Sequence, residues 1–213
     1  MILNRCTRAP TSVLGIFLDT ETNGLNLRRH KVVEIALKII DITTGEFKDS
    51  FESLVSTSPE EWNISDPESL RVNGFTWEEI VKGKPAQEVG QSIITCFAKN
   101  QIKRGEAVFI CQNPSFDRAF FSQLVDPDMQ EKFLWPYHWL DLASMFWVKA
   151  MESASQGKGH FPWKTGLSKD KIAQAYQLPS EASPHRAMNG VNHLILCYTA
   201  VVGFPSSNSY YSS

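Results

Sequence analysis

The first 55 residues alternate short apolar runs with polar turns, a pattern typical of β-strands. Val, Ile, Leu and Phe dominate three such runs, and the Thr-Thr-Gly-Glu turn at 43–46 separates the second run from the third. We therefore predict that the chain opens as a β-meander. The predicted strands span residues 13–18, 32–42 and 47–55.

The pattern changes after residue 59, where apolar positions recur at the spacing of helices up to about residue 100. A short apolar run at 106–111 predicts a further strand, and a helix is expected directly after it, with Asn113 as its cap and Pro114 in its first turn. Strands followed by helices, with one strand returning between them, favour an α/β fold with a mixed sheet.

The last third of the chain is predicted to be mostly helical. A Gly- and Ser-containing stretch interrupts it and predicts a mobile loop. The last helix is expected to be capped by Ser183 and to have Pro184 in its first turn. The predicted segments are helices at 140–151 and 167–176, a loop at 153–165, and a helix from 183 onward.

The composition indicates one folded unit. The chain has 213 residues, of which 42% are apolar and 11% aromatic, enough to bury one sizeable core. We expect a single domain over residues 1–205 and a flexible polar tail at 206–213.

Charge and cysteine content limit the kinds of partner and the cellular compartment that the sequence favours. A formal net charge of −2 excludes a basic protein that grips long nucleic acid by charge alone, so a nucleic-acid partner would need metal ions or a local patch. The four cysteines lie far apart without a Cys-x-x-Cys pair, no signal peptide precedes them, and no apolar run approaches the ~20 residues of a membrane span. We expect a soluble, cytoplasmic protein with reduced thiols and no membrane partner.

The first predicted strand ends in two acids, Asp19 and Glu21. Residues i and i+2 of a strand point to the same face, so their carboxylates should project together, about 6–7 Å apart along the strand. Like charges that close repel unless a cation lies between them, and carboxylate oxygens suit Mg²⁺ or Mn²⁺. A solvated strand end is the simpler interpretation of Asp-x-Glu alone, so the case depends on other residues.

Two further residues strengthen the case for a site. Asp117 is placed one turn into the helix after the 106–111 strand, where it can face the same end of the sheet. An acid in a first turn is often only a partner of the helix dipole. His185 lies near the start of the last predicted helix, where a histidine is commonly a surface residue.

Taken together, these segments resemble the DEDDh family of 3′→5′ exonucleases, and most closely the proofreading (epsilon) subunits of bacterial replicative DNA polymerases. The resemblance covers about residues 13–198. It implies a ribonuclease H-like fold, with a five-stranded mixed sheet flanked by helices. The motifs that carry it are Phe-Leu-Asp-Thr-Glu-Thr-Asn-Gly-Leu (17–25), Asn-Pro-Ser-Phe-Asp (113–117) and His-Arg-Ala (185–187), with residues 71–80 between the first two.

The resemblance also implies an activity, namely release of nucleoside monophosphates from a 3′ end with two divalent cations, Mg²⁺ or Mn²⁺. By the same resemblance Asp19 would bridge both metals, Glu21 would bind one of them, and Asp117 would hold the other partly through water. His185 would be the general base, and imidazole, with an ordinary pKa near 6.5, can take a proton at neutral pH. Two cations on an in-line displacement stabilise both the attacking and the leaving oxygen.

One position departs from the family pattern. The family has an Asp five residues after the histidine, and here Gly190 occupies that place. Asn189, a water molecule or His193 could compensate, or the site could be disabled, and the sequence leaves these alternatives open. If the missing carboxylate limits the site, Gly190→Asp is expected to restore it.

The resemblance suggests contacts with substrate as well. It implies that the turn after the two acids meets the terminal nucleotide, with Leu25 against its base, and that two residues of the second motif line the same end of the sheet. The candidate substrate-binding residues are Thr22, Gly24, Leu25, Asn113 and Phe116.

The expected partner is a single-stranded 3′ end, with DNA favoured, and a polymerase subunit is a possible second partner in replication and repair. Two alternatives stay open. One is a nuclease-fold module without turnover that binds nucleic-acid ends or docks on a polymerase. The other is an exonuclease acting on RNA or short oligoribonucleotides.

Overall fold

The computed structural model of the chain describes residues 12–205 and contains a five-stranded mixed sheet. This confirms the α/β fold class and the opening meander. The strands are β1 (Leu14–Thr22), β2 (Val32–Asp41), β3 (Glu46–Leu54), β4 (Ala107–Cys111) and β5 (Trp139–Asp141). Their order in the sheet is β3-β2-β1-β4-β5.

The central strand β1 organises the sheet. It pairs antiparallel with β2, where Asp19 lies opposite Ala36, and parallel with β4, where Phe17 lies opposite Ile110. Central strands of a sheet covered on both faces are apolar on both faces, and β1 is buried on both sides from Gly15 to Leu18. Its polar residues begin only at its carboxyl end, so this is the end at which the strand can present polar side chains for binding or catalysis.

Helices cover both faces of the sheet. Within residues 12–205 they are α1 (Pro59–Asn63), α2 (Pro67–Asn73), α3 (Trp77–Ile80), α4 (Ala86–Lys99), α5 (Pro114–Phe121), α6 (Pro127–Lys132), α7 (Leu142–Ser155), α8 (Pro162–Thr165), α9 (Lys169–Ala175) and α10 (Ala187–Val201).

Each face of the sheet has its own apolar core. Ile16 and Leu18 point to the face covered by α4 and α5, whereas Phe17 points to the face covered by α7, α9 and α10. On a strand, Asp19 and Glu21 share the face of Phe17. The two acids therefore belong to the side of the sheet on which α10 packs.

The structure corrects three local predictions. Residues 139–141 form a short strand, so the helix predicted from 140 begins only at Leu142, where the Asp141 carboxylate accepts hydrogen bonds from two backbone amides of its first turn. The loop predicted at 153–165 is helical at both ends, in α7 and α8.

The last helix begins later than predicted. Ser183 and Pro184 precede α10 instead of opening it, and Arg186 is the N-cap residue. The amide of Ala187 at the helix start donates to Glu34 Oε2 at 2.6 Å, so a buried strand carboxylate caps the helix in place of the predicted serine.

Within residues 12–205, none of the helices is long and apolar enough to cross a membrane. The tail predicted to be flexible, residues 206–213, lies outside the described residues, as does Cys6.

Gly90 in α4 permits close packing against the loop after α5. A Cβ at this position would lie 2.1 Å from the carbonyl oxygen of Leu124. Glycine to alanine normally stabilises a helix interior, but here we expect Gly90→Ala to lower the free energy of unfolding by about 1–3 kcal/mol through overpacking. Urea denaturation measures this. The neighbouring exposed Gln91→Ala is the control, and an equal effect of both changes would contradict the packing argument.

Candidate active site

Two of the predicted acids lie at the carboxyl end of β1, on the face that packs against α10. Asp19 lies opposite Ala36, and Glu21 lies opposite Glu34 of β2. The Asp19 side chain is 14% exposed, so most of its carboxylate has left water. A carboxylate in this position needs a cation or hydrogen-bond donors.

Asp117 reaches the same end of β1 from α5. Its side chain is buried, and Oδ1 accepts two hydrogen bonds from Thr20, one from the backbone amide at 3.1 Å and one from Oγ1 at 2.8 Å. The first turn of α5 thus fixes the third predicted acid directly to the strand that carries the other two. The structure therefore places Asp117 at the end of β1 through Thr20, whose side chain points to the face of the sheet opposite that of Asp19 and Glu21.

The acids interact unfavourably with one another. Burial raises the pKa of Asp19, and it raises the pKa of Asp117 well above its usual range, with the charge of Asp19 as the next contribution. Burial and then the charge of Asp19 raise the pKa of Glu21 to about 8. The end of β1 is thus a region where a positive charge is strongly favoured.

The cation found there is Lys169, the first residue of α9, which the sequence analysis did not identify. Its Nζ lies 3.3 Å from Asp19 Oδ1 and 3.0 Å from Glu181 Oε2. Burial disfavours the charged lysine, but the carboxylates of Asp19 and Glu181 outweigh this effect and raise its pKa. The ammonium therefore stays charged and bridges two segments that are far apart in sequence.

Glu181 is the second residue that the sequence analysis missed. Its side chain is only 3% exposed and carries Lys169 on one side and two histidines on the other, with His185 Nδ1 at 4.0 Å and His193 Nδ1 at 3.6 Å. The sequence offered a weak signal for Lys169 alone, because a lysine at the first position of a helix opposes the helix dipole.

His185 lies in the bend before α10, with a side chain that is 40% exposed. Its backbone amide donates to the carbonyl oxygen of Val72 at 3.1 Å, and the Glu34 bond to Ala187 fixes the chain two residues later. The imidazole is therefore held beside the acids, with one ring nitrogen toward Glu181 and the ring open to solvent.

Gly190 is where α10 comes closest to β1. A Cβ at this position would lie 1.9 Å from Asp19 Oδ2 and 3.0 Å from Lys169 Nζ. The absence of a side chain at 190 therefore lets α10 pass in close contact with the Asp19 carboxylate, which would have to shift to make room for a Cβ. An aspartate at 190, which the family resemblance suggests would restore a ligand, would first have to displace the Asp19 carboxylate.

The two residues considered as possible replacements for the missing ligand have other surroundings. Asn189 is exposed on α10. His193 is buried, contrary to the ordinary surface position of a helix histidine, and its Nε2 lies 3.0 Å from the carbonyl oxygen of Pro179. His193 therefore supports the segment that carries Glu181.

A groove of about 230 Å³ runs beside the acids and contains several predicted substrate-binding residues. Leu25, which is 72% exposed, and Phe116 lie on its walls, and Thr22 borders it while its Oγ1 donates to the Gly24 carbonyl oxygen at 2.9 Å. Gly24 packs so tightly on the His30 ring that a Cβ would lie 2.2 Å from it. The groove joins an apolar surface to the acidic end of β1.

Asn113, like Gly24, is a predicted substrate residue that does not line this groove. It begins α5 in a left-handed conformation with φ 57°, its backbone amide donates to Asp141 Oδ1 at 3.1 Å, and its own Oδ1 accepts from Ser115. The predicted cap position is observed, but its side chain makes no capping hydrogen bond to the helix.

The side chains of these residues are of the type that binds divalent cations, but their arrangement in the structure suits metal binding less well. Carboxylates are the ligands that Mg²⁺ and Mn²⁺ prefer, and the mutual repulsion of the acids favours a cation among them. Within residues 12–205, however, no group of three or more His, Cys, Asp or Glu side chains is close enough together to enclose a metal ion. The position beside Asp19 is taken by the Lys169 ammonium.

Comparison with protein families gives a match over most of the chain. The family model described as Exonuclease (RNase_T) matches residues 16–193. A search of the curated proteins finds no match.

Many solved structures share the fold. Cell-death related nuclease 4 (CRN-4) superposes with a TM-score of 0.68 at 16% identity, over 92% of this chain and 66% of that one. Escherichia coli exonuclease I in complex with a dT13 oligonucleotide gives 0.64 at 14%, over 86% and 40%. The nuclease domain of 3′hExo, a DEDDh family member bound to rAMP, gives 0.65 at 11%, over 92% and 96%. The chain thus spans about two fifths of the exonuclease I chain, and at these identities the likeness shows the fold.

The raised pKa of Glu21 predicts a pH dependence of stability. Because the folded state holds its proton up to about pH 8 and the unfolded state only to about 4.5, the stability from this group is full below pH 4.5 and is lost as pH rises through 8. In EDTA, we expect Glu21→Gln to reduce the fall in melting temperature between pH 5 and 9. The exposed Glu88→Gln in α4 is the control, and an unchanged pH slope in Glu21→Gln would contradict the assignment.

The close approach at Gly190 predicts that side chains there are harmful. We expect Gly190→Ala and Gly190→Asp both to destabilise the protein, by about 1–3 kcal/mol for alanine, because Asp19 and Lys169 must move. Chemical denaturation measures this, with Asn189→Ala on the exposed side of α10 as the control. A Gly190→Asp variant that is as stable as the parent and binds Mn²⁺ more tightly would refute this prediction.

Proposed function

Because the chain belongs to the exonuclease family, we propose that it hydrolyses phosphodiester bonds at the 3′ end of single-stranded nucleic acid and releases nucleoside monophosphates in the 3′→5′ direction. One observation carries this proposal: the carboxylates of Asp19 and Asp117, both largely removed from water, lie at the same end of β1, and His185 stands on a partly exposed bend next to Glu181. Mutually repelling carboxylates next to an accessible imidazole are suited to cation-assisted attack by water.

Asp19, Glu21 and Asp117 are the proposed ligands for divalent cations, Mg²⁺ or Mn²⁺. Bound there, such cations would stabilise negative charge on the attacking and leaving oxygens of the phosphodiester. The family resemblance implies two ions, and the carboxylate missing at Gly190 leaves the second with fewer ligands. Thr20 keeps the Asp117 carboxylate oriented through two hydrogen bonds.

His185 is the proposed general base. Its Nδ1 faces Glu181 Oε1 at 4.0 Å, so Nε2 is the nitrogen left to accept a proton from the attacking water. The oxygen of that water forms the new bond to phosphorus, the bond to the O3′ of the preceding nucleotide breaks, and O3′ takes a proton from solvent. Glu181 then stabilises the imidazolium that results.

The groove beside the acids is the proposed binding surface for the terminal nucleotide. Leu25 and Phe116 offer apolar contact to a base, and Thr22 and Gly24 shape the turn between them and the acids. Asn113 keeps a supporting role in this proposal, through the start of α5. DNA is favoured as substrate because the motifs resemble those of the proofreading branch.

A second candidate is a module that binds nucleic-acid ends without turnover, or docks on a polymerase during replication or repair. Gly190 and the Lys169 ammonium favour it, since both occupy space that a metal ligand or an ion would use. A polymerase partner depends on the proofreading resemblance alone. A cytoplasmic location likewise stays a proposal, in keeping with the free thiols of Cys96, Cys111 and Cys197.

The test is hydrolysis of a 5′-labelled single strand with millimolar Mn²⁺ or Mg²⁺. We expect products that shorten from the 3′ end, and His185→Ala should reduce the rate by about 10²–10⁴-fold, the usual contribution of a general base. The exposed His160→Ala is the matched control. Running the same sequence as DNA and RNA, each also with a blocked 3′ end, tests substrate and polarity.

A parent protein that binds the strand but releases no nucleotide under any of these conditions would favour the binding module. Equal rates for the parent and His185→Ala would remove the histidine from the proposed chemistry.

A further inference from the structure

Lys169 is a buried cation whose position local structure does not explain. It opens α9 directly after the cap Ser168, where the helix dipole disfavours positive charge. Its side chain is 14% exposed, and placing an ammonium there costs solvation that only close partners can offset. Its reason for being there must lie in what the ammonium contacts.

Those contacts centre on the acid that the family resemblance places between two metals. Lys169 Nζ lies 3.3 Å from Asp19 Oδ1, and within residues 12–205 this is the one ion pair that Lys or Arg side chains make with Asp19, Glu21 or Asp117. The ammonium also lies 3.0 Å from where a Cβ would stand at residue 190. It therefore lies close both to Asp19 and to the Cβ position of residue 190.

Glu181 fixes the ammonium from the other side. Its Oε2 lies 3.0 Å from Nζ, while its buried Oε1 makes no hydrogen bond within the described chain. An ammonium has three N–H donors. Asp19 and Glu181 account for two of them and leave one for a further acceptor.

We propose that the Lys169 ammonium is a built-in cation of this site, which takes the place of one divalent ion beside Asp19 and binds a non-bridging oxygen of the 3′-terminal phosphodiester. The proposal builds on the exonuclease function proposed above. It links Gly190 and Lys169, because a side chain at 190 would push against Asp19 and crowd the ammonium that pairs with it. The chain then binds one divalent cation where four acids would bind two.

The first test counts metal ions in the absence of substrate. Titration with Mn²⁺, followed by electron paramagnetic resonance of the free ion, should give one bound ion per parent chain. Lys169→Met removes the competing charge, so its Mn²⁺ affinity should rise roughly tenfold or more. Lys171→Met, an exposed lysine of the same helix, should behave as the parent. Two ions bound by the parent would overturn the proposal, and so would unchanged affinity in Lys169→Met.

The second test measures strand binding without metal. In EDTA, a fluorescent dT oligonucleotide should bind Lys169→Met roughly tenfold or more weakly than the parent, because a charged hydrogen bond to phosphate is lost. The Lys171→Met variant should bind as the parent does. Equal binding by parent and Lys169→Met would overturn the phosphate contact.

If Lys169→Met folds poorly, the double variant Lys169→Met with Glu181→Gln can replace it, because it removes both buried charges. The number of ions bound by the parent protein can also refute the proposal without any variant. The two proposals also fail separately. One ion per chain and lysine-dependent strand binding without nucleotide release would retain the built-in cation and remove the hydrolytic function. Nucleotide release by a parent that binds two ions would retain the hydrolytic function and remove the built-in cation.

Discussion

Negative charges removed from water at the end of a central strand set the main constraint on this fold. Asp19, Glu21 and Asp117 come from β1 and α5, and each is raised in pKa by burial and by the charge of a neighbour. Such a cluster is unstable unless a cation accompanies it. Lys169 supplies that charge from α9, and Glu181 holds it from the segment before α10, so four separate stretches of chain meet at one electrostatic centre.

The path of α10 follows from this centre. The helix can approach β1 closely because residue 190 has no side chain, and its first amide is bound by the Glu34 carboxylate of β2. These two contacts hold the bend with His185 beside the acids. A shift of α10 away from the sheet would therefore break the helix start and the histidine position together.

The sequence predicted the sheet and its central acids because local pattern determines them. Apolar runs divided by turns define the strands, and the Asp-x-Glu spacing places two carboxylates on one face of β1. The position of Asp117 was expected from a strand followed by a Pro-initiated helix. The three-residue β5 escaped prediction because so short a strand has no period of its own, and its Asp141 also reads as the start of a helix.

Lys169 and Glu181 escaped prediction for a different reason. Each becomes part of the site only when α9 and the segment before α10 fold over the end of β1, and nothing in the spacing of 150 residues between Lys169 and Asp19 announces that contact. The burial of His193 has the same origin, since its partner is a carbonyl oxygen 14 residues earlier.

The contact between Gly190 and Asp19 also constrains the order in which this site can change by mutation. A carboxylate at 190 and an ammonium between Asp19 and Glu181 compete for the same few ångströms. From the present chain, an aspartate gained first would enter an occupied space, whereas loss of the lysine first would leave buried acids without their cation. The effect of a change at 190 should therefore depend on the residue at 169, so the glycine and the lysine are expected to be energetically coupled.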